Sequence, residues 1–246
     1  MATALTAVAP AQLAHLELFV GLGPEALADV AARGRVQSVA KGTILFTQGA
    51  AAAHCHALIA GRVRISQSGE EGGQLIVRFV GPGEMFGTVA LFTDRRYPAT
   101  AAAVLDSLEI SWTEAALLEL IHRYPQIALN ALGIVGARLR EVQERLRELA
   151  TQRVDQRMAR VLLRLARRRA AAKAEKATID FPVTRQDLAE MCGTTLYSAS
   201  RILTAWERAG ILTTRRRQVT LQDLSELERI AGETPQYQPA ERSSRA

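Results

Sequence analysis

The stretch TRQDLAEMCGTTLYSASRILTAWERAGIL, residues 184–212, has the pattern of two short helices joined by a tight turn. Thr184 can cap the first helix, and Gly193 can adopt the positive φ that such a turn requires. Thr194 can then cap a second helix, which ends at Gly210 before an apolar pair. The pattern predicts a helix-turn-helix whose second helix enters the major groove of DNA.

The second helix carries small polar side chains and an arginine on the face opposite its apolar residues. Such side chains offer hydrogen bonds to base edges and phosphates. We expect base contacts from Thr195, Tyr197, Ser198 and Arg201. Arg201 is the strongest candidate, because its planar guanidinium matches two acceptors of guanine, or a phosphate. A solvated surface arginine is the alternative.

Residues 213–221 follow the second helix and have the pattern of a β-hairpin with arginines at its tip. This hairpin predicts a wing that holds the DNA backbone without reading its sequence. The residues expected to hold mainly phosphates are Arg185, Ser200, Arg215, Arg216 and Arg217. A basic tip that is only solvated is the alternative.

Upstream of this segment, residues 35–112 contain short β-branched and apolar runs separated by glycines and prolines, which is typical of a β-sandwich or barrel. Pro24 begins a short helix ahead of them. After Pro125, a long helix has an apolar seam made of Val135, Leu139, Val142, Leu146 and Leu149. The seam predicts a two-helix coiled coil and therefore a homodimer, while packing against its own domain is the alternative.

These patterns together predict an α+β protein with an N-terminal β-roll of the jelly-roll type, a long dimerisation helix and a C-terminal winged helix-turn-helix. The expected units are residues 1–125, 126–152 and 153–231, followed by a disordered tail at 232–246. A basic, alanine-rich stretch at 167–176 is expected to end in a loop.

The positive charge is concentrated in the C-terminal part of the chain. Residues 1–150 contain 13 Lys and Arg against 14 Asp and Glu, whereas residues 151–246 contain 18 against 11. This asymmetry favours a polyanionic partner, with double-stranded DNA as the first candidate. No apolar run approaches the roughly 20 residues of a membrane helix, and the N-terminus lacks the features of a secretory signal. We expect a cytoplasmic protein with no membrane partner.

The order of these parts resembles the CRP/FNR superfamily of bacterial transcription regulators over residues 12–230. The most specific matches are Phe86-Gly87 followed by Leu91-Phe92 in the roll, and TRQDLAEMCGTTLYSASRIL in the helix-turn-helix. The resemblance implies a dimer on a two-fold symmetric operator and contact with RNA polymerase. It also implies an effector that binds in the roll or along the dimer helices and sets the placement of the recognition helices.

The recognition helix departs from the family pattern at one position. The family's serine and arginine match Ser200 and Arg201, but its base-contacting glutamate falls on Tyr197. A glutamate only accepts hydrogen bonds, whereas a tyrosine can donate, accept and stack. We therefore expect an operator half-site that differs from the family's usual one.

The residues that match the family's cyclic-nucleotide site depart further from the family pattern. Members that bind cyclic AMP hold its ribose with a glutamate and its phosphate with an Arg-Ser pair, where this chain has Thr88 and Pro98-Ala99. A buried phosphate without that arginine would be unpaired, so no cyclic nucleotide is expected. The candidate effector-pocket residues are Gly87, Thr88, Ala99, Thr100, Val142 and Gln143, of which the last two match the family's adenine-contacting pair. The identity of the effector stays open.

The remaining chemistry-bearing residues give weaker signals. Two cysteines, Cys55 and Cys192, are too few for a typical iron–sulfur cluster, so none is expected. Cys192 is either a core residue or a redox switch near DNA. His54 and His56 share one strand face and are weak candidates for binding metal or haem. A cupin-like metalloenzyme would need a glutamate and a third histidine that do not follow, so we expect no catalytic residues and no enzyme.

Overall fold

The computed structural model describes residues 8–69, 71–91, 93–167 and 176–232. The predictions for Phe92, for most of the basic stretch and for the C-terminal tail concern residues outside these ranges. Of the helices within them, none combines the length and the apolar character needed to cross a lipid bilayer.

Two antiparallel four-stranded sheets form the N-terminal half of the molecule. One contains, in spatial order, β1 (Arg35–Val39), β8 (Ser107–Thr113), β3 (His54–Ala60) and β6 (Met85–Phe86). The other contains β2 (Ile44–Phe46), β7 (Thr100–Ala103), β4 (Val63–Ser68) and β5 (Gln74–Val80). The short helix α3 (Thr88–Leu91) follows β6. This arrangement confirms the predicted β-roll.

Because successive strand residues point to opposite faces, each sheet turns one apolar face inward. The cluster between the sheets consists of Leu58, Val63, Val80, Phe86 and Ala101. Helices α1 (Pro10–Leu13) and α2 (Pro24–Arg33) cover one end of the roll. There Phe19 packs edge-on against Trp112 with ring centroids 5.0 Å apart, and the Trp112 indole donates to the Val30 carbonyl at 2.9 Å.

Three helices follow the roll: α4 (Glu114–Arg123), α5 (Gln126–Thr151) and α6 (Val154–Arg167). Helix α5 begins directly after Pro125, as predicted. The five seam residues of α5 are between 46% and 67% exposed, and Leu132, one turn upstream, is 70% exposed. About half or more of each seam side chain is thus left uncovered by its own domain, which favours the dimer over the alternative of packing against that domain.

The C-terminal unit consists of β9 (Ala177–Thr178), α7 (Arg185–Cys192), α8 (Leu196–Arg208), β10 (Leu212–Arg215), β11 (Gln218–Leu221) and α9 (Leu224–Gly232). Its core joins α6 to the two helices of the helix-turn-helix through Met158, Leu188, Leu203 and Trp206. Helix α9 packs against α6 and was not predicted. Its Leu224, Leu227 and Ile230 nevertheless have the spacing of an amphipathic helix.

The C-terminal unit is docked on the roll of the same chain. Arg62 forms an ion pair with Asp180 at 2.9 Å and lies 4.3 Å above the Phe181 ring. Phe181 also packs against Phe79 of β5, with centroids 4.8 Å apart. Helix α7 packs against β5 in the same region. The contact thus combines an apolar centre with a buried cation.

Candidate nucleic-acid interface and ligand cavity

The first helix of the helix-turn-helix begins with a capping box. The Thr184 hydroxyl accepts from the Asp187 amide at 3.0 Å, and the Asp187 carboxylate accepts from the Thr184 amide at 2.7 Å. Gly193 ends the helix with a φ of 61°. The predicted cap and turn are confirmed.

The second helix begins one residue later than predicted. Thr195, and not Thr194, is the N-cap, because its hydroxyl accepts from the Ser198 amide at 3.2 Å. The Thr194 amide instead donates to the Ala189 carbonyl and closes the turn. The Thr195 and Ser198 hydroxyls also lie 3.1 Å apart, so any base contact from them must share these hydrogen bonds.

The outward face of α8 carries Tyr197, which is 77% exposed, and Arg201 one turn later, which is also exposed. The opposite face buries Leu203 and Trp206 as predicted, whereas Ile202 is only partly buried. The helix therefore presents Tyr197 and Arg201 to solvent, while Ser198 is half-buried.

Arg185 lies between the two helices rather than at the free surface. Its guanidinium donates to the Thr204 hydroxyl at 3.0 Å and pairs with Glu207 at 3.0 Å. It also donates to the backbone carbonyl of Ser200, whose side chain is half-buried. A phosphate contact from Arg185 would have to share this guanidinium with Glu207.

The wing has the predicted form. Strands β10 and β11 pair from Leu212↔Leu221 to Arg215↔Gln218. Arg216 and Arg217 form the turn with φ of 50° and 68°, as in hairpins with two-residue turns. The three arginines 215–217 are exposed, and no carboxylate of the described chain pairs with them. Their charges are available to a polyanion.

A cavity of about 530 Å³ lies between the roll and α5. Four of the predicted pocket residues line it: Gly87, Thr88, Ala99 and Val142. Gly87 has a φ of 72°, and a Cβ there would lie 3.2 Å from the His56 and Tyr97 rings.

The other two predicted pocket residues do not line this cavity. Thr100 follows Ala99 on a strand and so faces the opposite side, where its hydroxyl accepts from the Gln48 amide. Gln143 follows Val142 on a helix, which turns it about 100° away. These two residues therefore lie outside the lining of this cavity, because neighbouring residues of a strand or helix point in different directions, and their contact with an effector stays a prediction.

Most of the lining is apolar, and the charged residues stand at one end. Phe46, Ile65, Met85 and Phe86 contribute to the apolar part. Pro98 and Ala99, which stand in the sequence where the resemblance expects the Arg-Ser pair, line the cavity and offer no cation. The Thr88 hydroxyl oxygen is buried there without a hydrogen-bond partner among the described residues.

Three arginines at the α5 end of the cavity were missed by the sequence interpretation: Arg78, Arg138 and Arg145. Arg78 interrupts the otherwise apolar run of β5, and Arg138 and Arg145 are seven residues apart on one side of α5. Both features are visible in the sequence, but only the fold brings strand and helix together. Burial, followed by the nearby charge of Arg138, lowers the pKa of Arg78 to about 10.

Arg145 also connects the roll to the helix-turn-helix. Its guanidinium donates to the carbonyls of Ile76 and Val77 in β5 at 3.1 and 2.5 Å. It donates to the Met191 carbonyl at the end of α7 at 2.6 Å. One side chain therefore lines the cavity, holds β5 and contacts the first helix of the helix-turn-helix.

The two histidines of β3 are engaged differently. His54 is half-buried, and its ring centroid lies 6.3 Å from that of His56. His56 Nδ1 lies 2.7 Å from the carboxylate of Glu109 on β8, and both side chains are buried. The described residues contain no group of three or more histidine, cysteine or acidic side chains that could hold a metal ion.

Both cysteines are buried. Cys192 Sγ lies 3.6 Å from Met158 Sδ in the core of the C-terminal unit. Burial raises the pKa of the Cys55 and Cys192 thiols to about 12, which keeps them protonated. The structure favours a core role for Cys192 over a redox switch.

Comparison with known proteins agrees with this architecture. Residues 36–124 match the family model of the cyclic nucleotide-binding domain, and residues 156–230 match that of the Crp-like helix-turn-helix domain. The nitrogen fixation regulation protein FixK of Azorhizobium caulinodans is 30% identical over 203 residues, which cover 82% of this chain and 81% of that protein. The CRP-like cAMP-activated global transcriptional regulator of Mycobacterium tuberculosis is 24% identical over 219 residues, covering 89% and 98%.

The solved structure of FixK2 from Bradyrhizobium japonicum has the same fold, with a TM-score of 0.71 at 23% identity, covering 82% of this chain and 98% of that one. The α+β fold class predicted from the sequence is therefore confirmed. The relatives are transcription regulators and not enzymes, as predicted. The chain belongs to the CRP/FNR superfamily of DNA-binding transcription regulators.

Proposed function

We propose that the protein regulates transcription as a homodimer on a two-fold symmetric operator, with an effector other than a cyclic nucleotide in the cavity between roll and α5. The observation that carries this proposal is the joint exposure of the α5 seam and of the DNA-facing side of α8. A second copy of the chain would cover the apolar seam of α5, and DNA would contact the polar face of α8.

The dimer follows from the seam. Large apolar side chains at heptad spacing leave a continuous stripe in water, and such a stripe marks an interface. A two-fold axis along α5 would place the same stripe of both copies face to face. Charged residues flank the stripe on both sides, as expected for a two-stranded coiled coil.

On DNA, the two copies of α8 would enter successive major grooves. Base contacts are proposed for Thr195, Tyr197, Ser198 and Arg201, and backbone contacts for Arg185, Ser200, Arg215, Arg216 and Arg217. By likeness to the family, RNA polymerase is the expected protein partner. Because its target is chromosomal DNA, we place the protein in the cytoplasm.

The effector differs from that of the relatives named for cyclic AMP. Pro98 and Ala99 supply no cation for a cyclic phosphate, and Thr88 supplies no carboxylate for a ribose. A phosphate buried there would lose its hydration without gaining an ion pair. We therefore expect calorimetry with cyclic AMP to detect no saturable binding to the cavity.

Selection of bound DNA from a random pool, with purified full-length protein in the presence and absence of reductant, tests the DNA-binding part of the proposal. We expect a palindrome with half-sites about 10 base pairs apart, centre to centre. Affinity should fall steeply with salt, and Arg216→Ala should lower the slope of the log–log salt plot by about 2, because the dimer loses one phosphate contact in each half-site.

Lys41→Ala is the matched control for the wing, because it removes one exposed positive charge from the roll instead. It should leave the salt slope unchanged. If no sequence is enriched and the binding is weak and insensitive to salt, the winged helix serves protein contacts and the proposal is wrong.

A further inference from the structure

The charge in the cavity is placed unevenly. Three guanidinium groups, those of Arg78, Arg138 and Arg145, line it, but only one carboxylate does, that of Glu141. All four stand where β5 faces α5, whereas the rest of the lining is almost entirely apolar. The cavity thus has one polar, basic end and one apolar end.

Two of the three arginines have carboxylate partners close by. Arg78 pairs with Glu84 at 2.8 Å, and Arg138 lies 3.1 Å from Glu141 and 3.6 Å from Glu17. Their charges are therefore largely compensated within the protein.

Arg145 has no such partner. Its guanidinium donates to backbone carbonyls, and in the described part of the chain no carboxylate lies within 4.0 Å of it. Burial is the main cause that lowers the pKa of Arg145, and the charge of Arg164 is the next. A nearby anion would stabilise this partly buried charge, because ion pairs that are partly desolvated and hydrogen-bonded are stronger than pairs in water.

The apolar end suits a hydrophobic ligand body. Phe46 and Phe86 stack with centroids 6.0 Å apart at this end. The buried Thr88 hydroxyl, which has no partner among the described residues, can donate or accept one further hydrogen bond. A volume of about 530 Å³ lies within the range of small-molecule pockets.

We propose that the cavity binds a hydrophobic carboxylate, with its anionic group at Arg145 and its apolar body against the aromatic rings of the roll. The inference rests on the proposed role of this cavity as the effector site. The charged group of the ligand would then contact α5, at the end of the cavity opposite Pro98 and Ala99. A single negative charge fits best, because Glu141 would repel a second one.

Titration calorimetry on the full-length protein tests this chemistry with 4-phenylbutyrate, decanoate and the neutral 4-phenylbutyramide. We expect saturable binding of at least one carboxylate. The amide should bind at least about tenfold more weakly than 4-phenylbutyrate, since it loses a charged hydrogen bond. Equal affinity for acid and amide, or no saturable binding of either acid up to about 5 mM, would overturn the proposal.

Variants locate the anionic group. Arg145→Gln should weaken carboxylate binding about tenfold or more and leave amide binding unchanged. Arg140→Gln, on the outer face of the same helix, is the control and should change neither. Unchanged carboxylate affinity in folded Arg145→Gln would overturn the placement at Arg145. If this variant does not fold, the acid-to-amide ratio of the wild-type protein still tests whether the cavity prefers a carboxylate. Since calorimetry uses no DNA, failure here is separate from failure to select an operator.

Discussion

At the scale of single residues, the same arginine chemistry serves different purposes according to position. Arg201 projects into solvent from α8, Arg185 is tied to Glu207, and Arg145 is held by three carbonyls. An exposed guanidinium on the second helix can reach base edges, whereas the other two already have intramolecular partners. Among the arginines proposed to contact DNA, Arg201 and the wing arginines have no side-chain partner in the described part of the chain, so they can contact DNA without breaking a contact in the protein.

We expect Arg201→Ala to cost about 1–3 kcal/mol in operator affinity and to relax specificity at one position of each half-site. Competition binding with operators altered one base pair at a time measures both effects. Arg208→Ala removes the same side chain from the last turn of α8 and should leave the specificity profile intact. A loss that is uniform across all altered operators would make Arg201 a phosphate contact instead.

Cys192 leads to a different kind of prediction. A thiol whose pKa is raised from 9.0 to about 12 is almost fully protonated at pH 8, and its burial blocks access. A thiol reagent such as Ellman's reagent should therefore label neither cysteine in the folded protein and both after denaturation. Treatment with peroxide should leave the operator affinity of the wild-type protein unchanged, and that of Cys192→Ser likewise. Rapid labelling of Cys192 in the folded state would restore the redox switch as an explanation.

At the scale of elements, features that depend on neighbouring residues could be predicted from the sequence, whereas contacts between residues far apart in the sequence could not. The capping box, the Gly193 turn, the seam and the wing each depend on neighbours within a few residues. Two threonines stand next to each other at the start of α8, and the sequence does not say which of them is the cap. The structure selects Thr195, because the Thr194 amide donates to the Ala189 carbonyl and belongs to the turn. The pairing of His56 with Glu109 and the three cavity arginines require strand and helix partners that sequence spacing does not specify.

The α5 seam allows a sharp test of the dimer. Leu139→Glu would place a charge in the coiled-coil interface without a partner, at a cost of several kcal/mol. Sedimentation should then show monomers at micromolar concentration, and operator affinity should fall. Arg140→Glu introduces the same side chain one residue later, on the outer face, and should remain dimeric. If both variants sediment like wild type, the seam is not the interface.

At the scale of the whole molecule, the docking of the C-terminal unit on the roll decides how the two parts communicate. Its contacts include the Arg62–Asp180 pair, the Arg64–Asp187 pair at 3.2 Å and the Phe79–Phe181 packing. Arg62 is 5% exposed, while the side chain of Arg64 is about one-third exposed. Buried and exposed ion pairs differ in their contribution to stability, so the two arginines can be compared directly.

Arg62→Ala should lower the free energy of unfolding by about 2–4 kcal/mol, because it removes a charged hydrogen bond and a cation–π contact. Arg64→Ala should cost less than about 1 kcal/mol, since its pair is partly exposed and screened. Urea denaturation followed by circular dichroism measures both. Equal effects of the two substitutions would show that the burial of Arg62 does not make its pair contribute more to stability than the pair of Arg64.

The position of Arg145 has a thermodynamic consequence. Because one guanidinium touches the cavity, β5 and the end of α7, a ligand that draws it away from the Met191 carbonyl changes the free energy of holding the helix-turn-helix in place. Linkage then requires reciprocity: the factor by which the ligand changes operator affinity equals the factor by which the operator changes ligand affinity. DNA added to the protein should thus alter the dissociation constant of the ligand, and the two measurements together form a closed cycle.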